Sequence, residues 1–113
     1  MEFSREQTRS LLQKWRDEKR VIHCGLFYSR HSSCAVIGRI EHLDSDSMRV
    51  DARGRDIAGK HYGLALKLSD IVRFHFETSE HQGYEGAIFA ELIGGWSCEI
   101  HATKLIEKEL VPD

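Results

Sequence analysis

Three short pairings in this chain carry residue types that can move a proton: His23 with Cys24, His42 with Asp44, and His75 with Glu77. Two more, His31-Ser-Ser-Cys34 and Cys98-Glu-Ile-His101, have the two-residue gap of some zinc sites. Catalysis or metal binding needs such groups to converge, so the element that carries each pair decides its meaning. On a strand, neighbours and residues three apart face opposite ways, whereas residues two apart share a face. His23/Cys24 and both zinc-spaced pairs therefore diverge if they lie on strands. His42/Asp44 and His75/Glu77 stand side by side, the usual arrangement of surface hydrogen-bonding partners. The sequence holds no glycine-rich phosphate loop, nucleophile elbow or metalloprotease helix motif. The expectation is a non-enzyme with no implied cofactor or metal; the alternative is a small enzyme built on a His/Asp or His/Glu pair.

A second group of residues is basic. In a helix over residues 4–20, Arg5, Arg9, Arg16 and Arg20 fall within roughly 60° of one another and border an apolar stripe of Thr8, Leu11, Leu12 and Trp15. Arg53, Arg55, Lys60 and His61 sit in a glycine-bearing stretch, with Tyr62 and Tyr84 available to stack on bases. The four helix arginines with Arg53, Arg55 and Lys60 are thus the candidate residues for binding a nucleotide or RNA. The overall field does not favour nonspecific coating of nucleic acid, because 16 basic and 18 acidic residues leave a net charge of −2. Residues 1–60 nevertheless carry a surplus of basic side chains, and residues 61–113 a surplus of acidic ones.

At 113 residues, 41% hydrophobic and 30% charged, the chain has the makings of a single domain with one core. It lacks an 18-residue apolar run, and Glu2, Arg5 and Glu6 stand where a signal peptide would be apolar. Cys24, Cys34 and Cys98 cannot all pair within the chain. A soluble cytoplasmic protein is expected, with no membrane association.

The elements that position these groups follow from spacing. Ser4 and Gln7 form a capping box ahead of a segment free of Gly and Pro, which predicts a helix over 4–20. From Val21 the apolar period shortens to two, and five strands follow within 21–77. They are Val21–Ser29, Ser33–Leu43 bent at Gly38, a strand through Met48 and Val50, one through Leu64 and Leu66, and Ile71–Glu77. Residues 53–63 and 78–86 are expected as loops. A hairpin then spans 87–103, with Gly94-Gly95 as its turn, and 104–111 is either a short helix or an extension of the last strand.

This order is similar to that of the Sm-like small β-barrels. The matching residues are Gly38-Arg-Ile40 with Asp44, then Met48 and Val50, then Leu66-Lys-Leu68-Ser-Asp70-Ile71, across about residues 4–77. The resemblance implies an N-terminal helix followed by a small, strongly bent antiparallel barrel, with the C-terminal hairpin added to it. It also implies association through β-edges, into homo-oligomers or with a protein partner, and possible contact with RNA. The family's Asn is replaced by Ser47-Met48, and its basic-glycine pair by Val72-Arg73-Phe74. A second resemblance, of Arg16-Asp-Glu-Lys-Arg20 to the arginine element of PilZ domains, implies cyclic-dinucleotide binding; that family's Asp-x-Ser motif has no counterpart around Asp44.

Overall fold

The computed structural model describes residues 2–28, 31–52, 63–78 and 83–106. The fold is mainly β with one N-terminal helix. In chain order the elements are β1 (Glu2–Phe3), α1 (Arg5–Asp17), β2 (Arg20–Tyr28), β3 (His31–Leu43), β4 (Ser47–Ala52), β5 (Gly63–Lys67), β6 (Ile71–Glu77), β7 (Tyr84–Leu92) and β8 (Trp96–Ile106). All the strands join one antiparallel sheet in the order β1-β6-β7-β8-β2-β3-β4-β5.

The capping box forms as the sequence dictates: Ser4 Oγ accepts from the Gln7 N–H at 3.1 Å, and Gln7 Oε1 accepts from the Ser4 N–H at 2.9 Å. The helix is shorter than expected and stops at Asp17. Lys19 adopts φ 56°, a left-handed conformation uncommon for a non-glycine residue, and Arg20 already belongs to β2. Thr8, Leu12 and Trp15 are buried as the stripe required.

Alternation sets the inward face of most strands, but it breaks at register shifts: neighbours Val21 and Ile22 are both buried in β2, and Val72 of β6, two residues from buried Phe74, is exposed. Cys24, Val36, Ile40, Met48, Val50, Leu64, Leu66, Phe74, Ile88, Cys98, Ile100 and Ala102 form one core cluster with Leu12 and Trp15. The chain path explains how strands from both ends of the sheet reach one core. β5 is the last strand at one end and β6 the second from the other, yet a single 3-10 turn, Leu68–Asp70, joins them. Three residues span at most about 11 Å, so the sheet must roll until its ends approach. Asp46 fixes that turn, accepting from the Leu68 N–H on its carbonyl (2.5 Å) and from the Ser69 N–H on its carboxylate (3.0 Å).

Several details differ from the sequence expectation. The sheet rolls without closing, so the barrel is incomplete: among the described residues β1 and β5 are its edges. The hairpin of β7 and β8 is no appendage, because it occupies the middle of the sheet between β6 and β2. A barrel made from 21–77 alone would have set β6 beside β2. The sequence reading also missed β1, whose Phe3 stacks on Phe76 at 4.8 Å between ring centres. Gly94 and Gly95 do turn the hairpin with φ of 79° and 83°. The stretch after Thr103 is a strand extension through Ile106, and β7 begins at Tyr84, inside the expected loop. Gly38 is the residue at which β3 changes partner, pairing with Ile22 of β2 and Ala52 of β4.

Two side chains test this core directly. Ile100→Ala should lower the unfolding free energy by about 2–5 kcal/mol in urea denaturation, whereas Val72→Ala, at an exposed position, should stay within about 0.5 kcal/mol. Thr8 is buried and its hydroxyl has no hydrogen-bond partner among the described residues, so Thr8→Val should raise stability, by up to about 1 kcal/mol.

Candidate functional site

The arginines expected to form a ridge are divided among neighbours. Arg9 Nε donates to the Asp44 carbonyl (3.1 Å) and an Arg16 terminal nitrogen to the Glu41 carbonyl (3.4 Å), so these two clamp α1 onto the end of β3 and the turn that follows it. Arg20 lies at the start of β2, pairs with Glu18 (2.8 Å) and Glu85 (3.1 Å), and donates to the Thr103 carbonyl. Its bond holds the Glu18 carboxyl below the usual range. Arg5 is exposed on the helix. Arg53, Arg55 and Lys60, with His61 and Tyr62, lie outside the described residues.

His42 and Asp44 do meet, at 2.8 Å, inside a turn. The Asp44 carboxylate also accepts the Asp46 N–H (2.8 Å), the Ser47 N–H (2.7 Å) and the Ser47 hydroxyl (3.0 Å). These bonds, led by that from Asp46, hold its carboxyl far below the ordinary aspartate range. Such a carboxylate is a turn clasp, poorly suited to take a proton near neutral pH.

His75 and Glu77 (3.0 Å) share the outer face of the sheet, as do His101 and Glu99 (2.9 Å). Phe89 packs edge-on to His101 and tilted to His75, and Tyr84 stands edge-on to both His101 and His23. His23 faces His101 directly across β2 and β8, and burial, followed by the His101 charge, lowers its pKa. Spacing within single strands could not reveal this row, which forms across four strands.

Cys24 and Cys98 share the core side as free thiols in hydrogen-bond contact, with sulfurs 3.9 Å apart. The Cys24 contact and burial push the Cys98 thiol well up, the opposite of an activated nucleophile. Cys98 is thus turned away from outward-facing His101, and no group of three or more potential metal ligands converges among the described residues.

The remaining feature is the flank of β5. Leu64 and Leu66 point into the core, while Gly63, Ala65 and Lys67 are exposed. One side of β5 pairs with β4; the other carries no strand among the described residues. A cavity of about 530 Å³ lies beside β5. It is lined by Ala65, Leu66 and Lys67 of β5 and, opposite, by Leu26, Leu92, Ile93 and Trp96. Tyr28, itself half-exposed, packs on Trp96 at 5.0 Å. Which strand ends a sheet depends on long-range pairing, so the sequence held no local signal for this flank.

The pH dependence of stability follows from two of these groups. The lowered Asp44 pKa means that its contribution is present above about pH 4 and lost as pH falls below it. Asp44→Ala should therefore lower the urea midpoint at pH 7, with the gap to wild type narrowing below pH 4. The lowered His23 pKa acts in the same direction from about pH 6.5 downward, because the unfolded chain takes up the proton first, and His23→Gln should remove that part of the decline. Comparison of the chain with protein-family models, curated proteins and solved structures found no match.

Proposed function

We propose that this chain is a non-enzymatic assembly module that associates through the open flank of β5. The observation that carries the proposal is that, among the described residues, β5 pairs with β4 and with no other strand, beside an apolar cavity. An edge strand exposes unpaired N–H and C=O groups, and another extended chain satisfies them by adding a strand, with side-chain pockets supplying selectivity. The inward Leu64 and Leu66 make the flank apolar on the core side, and Ala65 keeps it low on the outer side.

The Sm-like resemblance points to edge association as well, but a head-to-tail ring would use the flanks of both β5 and β6. Here β1 pairs with β6 at Phe74 and His75, which disfavours that arrangement. RNA or cyclic-dinucleotide binding by the arginines has weaker support, since Arg9, Arg16 and Arg20 each serve a contact within the fold. The free thiols of Cys24, Cys34 and Cys98 suit a reducing compartment such as the cytoplasm.

Light scattering over a concentration series tests the proposal. The wild-type chain should exceed its 13.0 kDa monomer mass, Ala65→Glu should return it to that mass, and Val72→Glu on β6 should leave the assembly intact. Assembly that survives Ala65→Glu would place the interface elsewhere.

A further inference from the structure

We infer that the strand received by β5 is β5 of a second copy, antiparallel about a twofold axis through Ala65. The inference rests on the edge-association reading above and specifies its partner and register. About that axis Ala65 faces its own counterpart, Leu64 faces Leu66, and Gly63 faces Lys67. Every pair is compatible: two small residues at the centre, two apolar pairs on the core side, and each lysine opposite a residue without a side chain. A symmetric pairing of this kind closes on itself and buries the exposed flank of both copies at once.

Charge complementarity sets this register apart. Gly63 pairs with Asp51 on β4, and the Asp51 carboxylate leans over it: Oδ1 lies 2.5 Å from the place a Gly63 Cβ would occupy. Lys67 of the second copy would start two strand spacings from Asp51, about 10 Å, and a lysine side chain reaching back across Gly63 covers most of that distance. Asp51 already pairs with Arg49 at 2.9 Å and is partly exposed, so a second cation can approach it. The twofold axis makes the contact twice. Gly63 is therefore a gap through which Lys67 reaches Asp51, and a side chain at 63 would fill it.

An edge lysine is also a common device for preventing strand addition, and the two roles predict opposite signs. If Lys67 makes the proposed contacts, Lys67→Ala weakens the dimer, raising its dissociation constant roughly three- to tenfold for two exposed ion pairs. Added salt should weaken the wild-type dimer and affect the variant less. Tighter association of Lys67→Ala would overturn the inference.

Cysteine cross-linking reads the register separately. In a Cys34→Ser background, Ala65→Cys should give a disulfide-linked dimer under mild oxidation, since cross-strand Cβ atoms at the axis lie about 5 Å apart. Ile37→Cys, exposed on β3, should not. If Ala65→Glu abolishes assembly but Ala65→Cys fails to cross-link, the β5 flank is the interface and the twofold register is wrong. If Ala65→Glu has no effect, the edge-association reading itself fails. Circular dichroism of each variant confirms the fold in which these outcomes are read.

Discussion

Among the described residues, eight strands in an open sheet make seven pairings, and the arithmetic leaves two flanks of backbone without a strand partner. The rest of the structure depends on how far the fold goes toward removing them. The three-residue connection from β5 to β6 forces the sheet to roll, because strands near its opposite ends must lie within reach of one turn. Rolling gathers Leu64 and Leu66 from one end and Phe74 from the other around Leu12 and Trp15. It stops short of closure, and among the described residues the edge strand β5 pairs with β4 on one flank and adjoins an apolar cavity. Burial of apolar surface rewards the roll, whereas hydrogen bonding across the gap is what remains unachieved.

Much of the polar chemistry in the sequence serves to hold this rolled shape. Asp44 gathers the β3–β4 turn around its carboxylate, Asp46 ties that turn to the β5–β6 connector, and Arg9 and Arg16 bind the helix to the same region. These contacts converge where the β3–β4 turn meets the connector from β5 to β6. The residues that looked most able to handle protons or phosphates thus support the geometry of the open edge. The His and aromatic row on the outer face lies on β2, β6, β7 and β8, away from that edge.

Local order in the sequence was legible where one interaction dominates. The Ser4/Gln7 capping box set the helix start, strict alternation in Met48 to Ala52 set a strand, and Gly94-Gly95 set a turn that needs positive φ. The helix end was less legible, because Lys19 adopts a conformation that glycine or asparagine usually signals. β1 was missed because two residues cannot display a period. The central place of β7 and β8 was missed for another reason. The β2–β8 ladder joins Cys24 to Ile100, far apart in sequence, and alternation tells which face a residue occupies without telling which strand lies beside it. The candidate site shared that fate: helical spacing placed Arg9 and Arg16 on one side but could not show the carbonyls they reach, and the exposed flank of β5 exists only through the strand order.

Amide hydrogen exchange of Gly63–Lys67 across a range of protein concentrations tests the central claim most directly. Amides on the flank away from β4 should exchange rapidly in dilute protein and become protected as concentration rises, while buried β2 and β8 amides hold constant protection. Exchange at β5 that does not change with concentration would contradict the account.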